Sequence, residues 1–266
     1  VDLWKIINED QGALNLTENT QPVMLAAGYA TYKVLSEEMS LSPTSMAGHS
    51  LGEYAALVAS TALNFFDAIR LVKKRGKLMQ SAVPNGTGSM AAILGLDDKL
   101  VIEECRKASD KGVVEAVNFN SPGQVVIAGS KDAVTYACEL LKVAGAKRVL
   151  LLPVSVPSHC SLMKDAANEF KNSVENIEFR MNDVNVIHNV DAEFSNTIEE
   201  IRFKLVEQLY RPVLWAPSVS KMKKEGVEMI IETGPGKVLT GLTRRIDKSL
   251  HASAIIDVNS LKSTIE

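Results

Sequence analysis

The stretch MAGHSLGEYAALVAS, residues 46–60, places a serine between two glycines and then runs into small apolar residues. Its centre, GHSLG at residues 48–52, fits the G-x-S-x-G pattern of a nucleophile elbow. An elbow is a sharp strand-to-helix turn that holds a serine hydroxyl out at the top of a sheet. We expect both glycines to be needed, because the backbones on either side of such a turn come close together. The stretch therefore predicts a short strand over 45–49 and a helix over 52–62.

Segments with helical and strand patterns alternate along the rest of the chain. Apolar periodicity and turn residues predict helices over 20–39, 65–79, 97–110, 131–144, 160–174, 198–210 and 237–246, and strands over 89–96, 113–119, 124–128, 148–154, 184–190, 227–232 and 253–258. Alternating strands and helices imply an α/β fold with a mostly parallel sheet. Active sites of such sheets lie beyond the carboxyl ends of the strands, which is where the elbow would place Ser50.

The segment 88–154 has its own order of elements. It reads strand-helix-strand-strand-helix-strand, which is the ferredoxin-like arrangement. The glycines just before it and Pro157 after it are suitable hinges. We therefore predict a ferredoxin-like α+β subdomain over 87–155, inserted in a larger α/β catalytic domain formed by residues 1–86 and 156–266.

The composition excludes several classes of protein. The chain has 266 residues, of which 46% are hydrophobic and 23% charged, and its net charge of −3 lacks the basic excess typical of nucleic-acid binders. No apolar run approaches the ~20 residues that span a bilayer, and no secretory signal is present. The cysteines are far apart and form neither a metal-ligand cluster nor a disulfide framework: Cys105, Cys138 and Cys160. These features predict a cytoplasmic protein without a bound metal.

A serine nucleophile needs a base within hydrogen-bond reach, and four histidines are available. His49 adjoins Ser50, so its side chain should point away from the hydroxyl. His251 lies in an undistinguished stretch near the C-terminus, and His188 alternates with valines on one strand face, as a packed core histidine would. His159, which follows a predicted strand and opens a helix, is the best candidate; the alternative is a helix-start histidine without a catalytic role.

One arginine stands inside an apolar helix face. In the helix that Asn64 can cap, the apolar side chains occupy one wide arc, and Arg75 is the only charge within it. A buried guanidinium must find a partner, because burial of an unpaired charge is very costly. The commoner outcome would be a structural ion pair with a core carboxylate.

A structural alternative also exists for Ser50, because the glycines around it could serve only a tight turn.

Six stretches spread over the chain carry a resemblance to one bacterial enzyme family. They are GHSLGEYAALVAS (48–60), KKRGKLMQSAVPNGTGSMAAILGL (73–96), VNFNSPGQVVIAG (117–129), VSVPSHC (154–160), QLYRPVLW (208–215) and GPGKVLTGLT (234–243). Together and in this order they are similar to the bacterial malonyl-CoA:acyl carrier protein transacylases. The resemblance implies a hydrolase-like α/β domain that carries an inserted ferredoxin-like subdomain.

The resemblance also implies a role for each residue that takes part in the acyl transfer. Ser50 would be the nucleophile that forms a malonyl-enzyme, and His159 would be its base. The family orients that histidine with a backbone carbonyl, here that of Gln208, which would explain why no triad carboxylate stands out. The Leu51 N–H would donate to the oxyanion, as the residue after the nucleophile does in elbows.

The resemblance implies that four further residues form the acyl site. Arg75 would grip the free malonyl carboxylate with its two-pronged guanidinium, so that the partner of this lone charge is the substrate. Met79 and Asn118 would line the pocket, and Ser158, just before the base, would help to shape the acyl site.

The sequence departs from the family in two places. The family begins with a strand that ends in a GQGSQ-type loop, whose glutamine supplies the second oxyanion donor, and this sequence starts after that loop. Without that N-terminal strand and its loop, we expect an incomplete oxyanion hole and an incomplete central sheet. His188 stands where the family more often has asparagine.

The expected reaction is a two-step acyl transfer that supplies fatty acid synthesis. A malonyl group passes from malonyl-CoA to Ser50 and then to the phosphopantetheine thiol of an acidic acyl carrier protein, without a metal or redox cofactor. The chain is expected to be a monomer, with neither nucleic acid nor membrane as a partner. One alternative is a serine thioesterase or other hydrolase, which would usually carry a triad carboxylate and has no use for Arg75. The other is an inactive module that binds carrier protein, which has no use for Ser50, His159 and Arg75 together.

Overall fold

The computed structural model describes residues 3–154, 156–181 and 183–265. Strands and helices alternate over most of these ranges, so the fold is α/β. The strands are β1 (Ser45–Ala47), β2 (Gly88–Leu94), β3 (Val114–Ser121), β4 (Gln124–Ser130), β5 (Arg148–Leu151), β6 (Asn185–Ile187), β7 (Met229–Thr233) and β8 (His251–Ile255).

The helices fall between and around these strands. They are α1 (Leu3–Glu9), α2 (Gln11–Leu14), α3 (Thr17–Glu38), α4 (Gly52–Ala59), α5 (Phe65–Ser81), α6 (Asp98–Ala108), α7 (Lys131–Val143), α8 (Lys164–Glu175), α9 (Ile198–Glu207), α10 (Trp215–Lys224), α11 (Val238–Ile246) and α12 (Val258–Ile265), with 3₁₀ turns at Ser109–Lys111 and Ser161–Met163. None of the helices described is both long and apolar enough to cross a membrane.

Parallel pairing between strands is found in two places among the described residues. Strand β1 pairs with β6, and β7 pairs with β8, each pair being parallel. The sequence predicts one mostly parallel sheet; the strand direction is as predicted, but the described residues form two separate two-stranded sheets. Because β1 and β6 run in the same direction, the residues that follow their carboxyl ends meet at one edge. That edge carries the candidate site.

The four remaining strands form one antiparallel sheet in the order β3-β4-β2-β5. In its register Ala91 of β2 lies opposite Ile127 of β4 on one side and Leu151 of β5 on the other. Helices α6 and α7 pack on this sheet, and the cluster of buried residues beneath them lies entirely within residues 91–141. The order of elements over 88–154 is therefore the one that the sequence predicts.

The largest buried cluster lies outside that segment, among α3, α4, α5, α8 and α9. Its large buried side chains include Leu25, Tyr54, Leu71, Phe170 and Leu205. Burial of large apolar side chains contributes roughly 1.5–3 kcal/mol each relative to exposure. This cluster therefore gives α4 and α5 a rigid base, and these two helices carry the candidate site.

The elements differ from the sequence prediction at several places, among them the start of α8, helix α10 and the last strand. The predicted helix 160–174 begins as a 3₁₀ turn and becomes α-helical only at Lys164. Helix α10 is not predicted, although its Pro217 lies in the first turn, where a missing N–H leaves no helical hydrogen bond unmade. The last strand is predicted over 253–258; it ends at Ile255, and the chain then turns into α12.

Candidate active site

Ser50 lies in a tight turn between β1 and α4. Its φ of 51° is in the left-handed region that few non-glycine residues adopt. A Cβ added at Gly48 would overlap the Gly52 carbonyl group, whereas one added at Gly52 would meet nothing within 4 Å. The expectation that both glycines are needed for close approach is therefore wrong for Gly52. The backbone at the start of the helix lies against Gly48, whereas a side chain at Gly52 would point into open space.

His159 is the histidine that contacts the serine. Its Nε2 lies 2.8 Å from Ser50 Oγ, and its Nδ1 lies 2.6 Å from the backbone carbonyl oxygen of Gln208. A carbonyl oxygen can only accept a hydrogen bond, so Nδ1 carries the proton and Nε2 presents its lone pair to the hydroxyl. The His159 backbone is also left-handed, with φ 68°, and its N–H donates to the Leu209 carbonyl at 2.9 Å.

The environment keeps His159 neutral. Burial is the main cause, and the positive charge of Arg75 adds to it; together they lower the pKa of His159 from 6.5 to about 3. The hydrogen bond to the Gln208 carbonyl acts in the opposite direction. A neutral imidazole whose Nε2 faces a hydroxyl can accept the proton from that hydroxyl.

Arg75 is the largest fully buried side chain of the described residues, with an exposure of 1%. Its guanidinium donates to three neutral oxygens: Gln21 Oε1 at 2.8 Å, Gln208 Oε1 at 2.9 Å and Ser50 Oγ at 3.2 Å. Its Cζ lies 5.5 Å from the centre of the Tyr54 ring. Burial lowers the pKa of Arg75, but a guanidinium still keeps its charge in a protein.

No carboxylate of the described residues pairs directly with this charge. Among the residues described, none forms an ion pair with Arg75 within 4.0 Å, and the buried Nε has no hydrogen-bond partner. The structural ion pair that the sequence leaves open as an alternative is therefore not found in this part of the chain. The site holds a buried cation that is oriented by hydrogen bonds to neutral oxygens, and the buried carboxylate of Glu53 acts on it only from beyond ion-pair distance.

The side chain of Gln208 links several parts of the site. Its Nε2 donates to the Ser50 carbonyl oxygen at 2.9 Å and to Glu53 Oε2 at 2.7 Å, while its Oε1 accepts from Arg75. The backbone of the same residue accepts from His159. One residue thus contacts the serine, the histidine and the arginine.

Glu53 belongs to the same polar network and is not predicted from the sequence. It is fully buried and accepts from His188 Nδ1 at 2.7 Å and from the Asn189 N–H at 3.0 Å, besides Gln208. The core position predicted for His188 is confirmed, since its exposure is 1%. The sequence does carry a signal for a functional Glu53: it is the one acid on the apolar helix α4, as Arg75 is the lone charge on the apolar face of α5.

Asn189 fixes the elbow from the end of β6. Its Oδ1 accepts from the Ser50 N–H at 2.6 Å, and its Nδ2 donates to the Gly48 carbonyl at 2.8 Å. The side chain of His49 points instead to Asn120, with 2.8 Å between Nε2 and Oδ1, so it is directed away from the hydroxyl as expected.

The other four residues that the sequence predicts for the site lie on separate parts of the chain. Leu51 is the N-cap of α4, and its N–H is among the amides of a first turn that have no helical acceptor. Met79 is buried, and its Sδ lies 3.7 Å from Gln21 Nε2. Asn118 is buried on β3 with an Nδ2 that has no partner among the described residues, and Ser158 Oγ contacts the Val156 carbonyl at 3.5 Å.

The structure therefore brings Ser50, His159, Arg75 and Gln208 into direct contact. The hydrogen bonds of the described residues do not connect Asn118 or Ser158 to them. Within the described ranges, no group of three or more histidine, cysteine, aspartate or glutamate side chains is placed to hold a metal ion.

Comparison with known proteins gives a consistent result. A family model described as "Acyl transferase domain" matches residues 2–263. A malonyl CoA-acyl carrier protein transacylase of Haemophilus influenzae is 52% identical over 100% of this chain and 86% of its own length. The protein of the same name from Escherichia coli is 51% identical, with the same coverage.

Solved structures agree with these relatives. A malonyl-transacylase in complex with a type II PKS acyl-carrier protein superposes with a TM-score of 0.97 at 49% identity, over 99% of this chain and 86% of that one. An acyl carrier protein S-malonyltransferase from Vibrio cholerae superposes with a TM-score of 0.95 at 51% identity and the same coverage. The chain belongs to the acyl transferase domain family and, within it, to the malonyl CoA-acyl carrier protein transacylases.

Proposed function

We propose that this chain transfers a malonyl group from malonyl-CoA to the phosphopantetheine thiol of acyl carrier protein, through a malonyl ester on Ser50. The observation that carries the proposal is that Ser50 Oγ contacts both a neutral imidazole, that of His159, and the buried guanidinium of Arg75, which forms no ion pair with a described residue. The first contact supports a nucleophile, and the second supports an acyl group that bears a negative charge. The transacylases among its relatives support the same reaction.

In the first step, Ser50 Oγ attacks the thioester carbonyl carbon of malonyl-CoA while His159 Nε2 takes the hydroxyl proton. The tetrahedral intermediate then collapses, its C–S bond breaks, and the leaving sulfur takes the proton from His159. The products are free coenzyme A and a malonyl ester on Ser50. The Gln208 carbonyl holds the Nδ1–H throughout, so that Nε2 faces the reacting atoms.

In the second step, the thiol of the carrier protein attacks the acyl-enzyme, as water does in a hydrolase. His159 Nε2 accepts the thiol proton as the sulfur attacks the ester carbonyl, and the C–O bond to Ser50 breaks. The proton returns to Ser50 Oγ, and the malonyl thioester leaves on the carrier protein. In both steps the Leu51 N–H is the proposed donor to the oxyanion.

Arg75 is the proposed anchor for the malonyl carboxylate. Its buried charge is stronger toward an anion than it would be in water, because the surroundings screen it less. Met79 and Asn118 are proposed to line the acyl pocket, and Ser158 to shape it next to His159. The free donor of Asn118 supports a polar contact to the substrate.

A hydrolase on the same elbow is the less favoured reading. Its triad would usually include a carboxylate on the histidine, whereas the Nδ1 of His159 faces a backbone carbonyl. Cys160 is not a competing nucleophile either, because burial raises the pKa of its thiol to about 12.

We further propose that residues 1–86 and 156–266 form a hydrolase-like domain and that 87–155 form an inserted ferredoxin-like subdomain. The separate buried cluster within 91–141 and the antiparallel β3-β4-β2-β5 order support this division. A cytoplasmic location is part of the proposal, and the free cysteines support it, since they fit a reducing compartment.

The test is intact-mass analysis after mixing with malonyl-CoA. We expect a malonyl adduct on the wild type, no adduct on Ser50→Ala, and a normal adduct on Ser220→Ala, which removes an exposed hydroxyl on α10. Addition of phosphopantetheinylated carrier protein should move the adduct to the carrier. A malonyl adduct that persists on Ser50→Ala would contradict the assignment of Ser50 as the nucleophile. A wild-type adduct that is lost to water as fast as to the carrier protein would support the hydrolase.

A further inference from the structure

The guanidinium of Arg75 is held by the side-chain oxygens of two glutamines. Gln21 Oε1 and Gln208 Oε1 accept from its two terminal nitrogens at 2.8 and 2.9 Å. We infer that Gln21 and Gln208 are positioning residues that set the preference for a charged acyl group, because they orient Arg75 without neutralising it. This inference rests on the proposed binding of the malonyl carboxylate by Arg75.

The amide of Gln21 is itself fixed in orientation. Its Nε2 lies 3.1 Å from Thr17 Oγ1 and 3.7 Å from Met79 Sδ, and the side chain is buried. Both neighbours accept the amide N–H groups, so the amide oxygen is left to face Arg75. Helix α3, which carries Gln21, thereby fixes one end of the guanidinium.

The amide of Gln208 is fixed on the other side. Its Nε2 donates to the Ser50 carbonyl and to Glu53 Oε2, so its Oε1 can only face the guanidinium. The amide thus lies between the buried carboxylate of Glu53 and the cation of Arg75. It keeps the acid hydrogen-bonded to an amide, and direct pairing of the acid with the cation is avoided.

This arrangement leaves the cation available to the substrate. A carboxylate in place of either amide would form a buried ion pair with Arg75 and would also repel an incoming carboxylate. Neutral oxygens supply hydrogen bonds that fix the position of the guanidinium, while no carboxylate of the described residues forms an ion pair with it. The malonyl carboxylate can then pair directly with Arg75, and an acetyl group cannot.

Gln21→Glu tests the inference with almost no change in shape. The new carboxylate oxygen can still accept from Arg75, and the Thr17 hydroxyl can rotate to donate to the second oxygen. We expect kcat/KM for malonyl-CoA to fall by roughly 10- to 100-fold, the range for loss of one charge-assisted contact. We expect kcat/KM for acetyl-CoA to stay the same or rise, and most of the malonyl effect to be in KM.

Two further variants separate this effect from a structural one. Gln80→Glu makes the same chemical change on α5, the helix of Arg75, at a half-buried residue that is not a hydrogen-bond partner of Arg75, and both substrates should react as with wild type. Gln21→Met removes the acceptor without adding charge, so malonyl KM should rise less than in Gln21→Glu. Thermal unfolding of each variant checks the fold.

The outcomes distinguish the inference from the proposed function. A wild type that prefers malonyl-CoA, with Gln21→Glu selectively impaired on malonyl-CoA, supports the inference. A Gln21→Glu variant whose malonyl-to-acetyl ratio is unchanged, or that loses both activities equally, overturns it while the malonyl preference of the wild type stands. A wild type without any malonyl preference contradicts the proposed function itself.

Discussion

The Nδ1 of His159 lies 2.6 Å from the backbone carbonyl oxygen of Gln208. A backbone carbonyl has no titratable proton and no negative charge, so it orients the imidazole without stabilising an imidazolium as strongly as a carboxylate would. Burial and Arg75 act in the same direction, since both lower the pKa of His159. The base is thus held in its neutral form by its surroundings.

His159→Ala should slow formation of the acyl-enzyme by ~10²–10⁴-fold, the usual range for loss of a general base. The measurement is the rate of adduct formation with malonyl-CoA in a single turnover. His188→Ala is the comparison, because His188 contacts Glu53 and not Ser50. If His188→Ala slowed adduct formation more than His159→Ala, the assignment of His159 as the base would be wrong.

The neutral His159 also predicts how stability depends on pH. Its pKa is about 3 in the folded protein and 6.5 when unfolded, so between these values the unfolded chain binds more protons. The contribution of His159 to the free energy of unfolding is fully present above pH 6.5. It is lost as the pH falls toward 3, by up to about 1.4 kcal/mol per pH unit.

Urea unfolding of the wild type and of His159→Gln at a series of pH values between 6.5 and 3 measures this contribution. Glutamine does not titrate, so the difference in free energy of unfolding between the two proteins should shrink as the pH falls. A difference that stays constant with pH would mean that His159 titrates normally in the folded state.

Arg75→Ala should lower kcat/KM for malonyl-CoA by roughly 10²- to 10³-fold, because a buried charge contact to the substrate is removed. Transfer of acetyl should be equal or faster, since the smaller group no longer leaves a buried guanidinium unpaired. Arg75→Lys should restore malonyl transfer only in part, because an ammonium lacks the fork of a guanidinium. A malonyl-to-acetyl ratio that hardly changes in Arg75→Ala would make Arg75 a structural residue.

Glu53→Gln should destabilise the fold even though the residue touches no substrate. The carboxylate accepts from His188, Asn189 and Gln208, and an amide nitrogen in its place would oppose one of these donors. We expect the free energy of unfolding to fall by about 1–3 kcal/mol. Glu37→Gln, on an exposed turn of α3, should change it by no more than about 0.5 kcal/mol. Equal effects of the two substitutions would show that the Glu53 network adds no stability.

The two glycines of the elbow should respond differently to alanine. Gly48→Ala forces a methyl group into the Gly52 carbonyl and should lower the free energy of unfolding or prevent folding. Gly52→Ala meets no atom within 4 Å and lies in the first turn of α4, where alanine should be neutral or stabilising by up to about 1 kcal/mol. Thermal unfolding of both variants decides the point, and similar losses would contradict the geometry of the turn.

Local features of this protein could be predicted well from the sequence. Asn64 caps α5 as expected, its Oδ1 accepting from the N–H groups of Phe66 and Asp67. The lone Arg75 in an apolar arc is buried, and the order of elements over 88–154 is as predicted. These features depend on neighbouring residues, whose spacing along the chain is fixed by helix and strand geometry.

The polar network around the site could not be predicted in the same way. Gln21 and Arg75 are 54 residues apart, and Arg75 and Gln208 are 133 apart, so their contacts depend on how whole helices pack. The sequence gives no sign that Gln208 uses its side chain as well as its carbonyl. The error at Gly52 has a similar origin: the pattern marks both glycines, but only the path of the chain shows which one is crowded.

The left-handed backbone at Ser50 restricts which nucleophile this fold can use. At a φ of 51°, a side chain branched at Cβ crowds the backbone, so threonine is disfavoured here although its hydroxyl has the same chemistry as that of serine. Cysteine is unbranched and meets no such barrier. The turn geometry, and not hydroxyl chemistry alone, therefore limits the evolutionary choices at this position to unbranched nucleophiles.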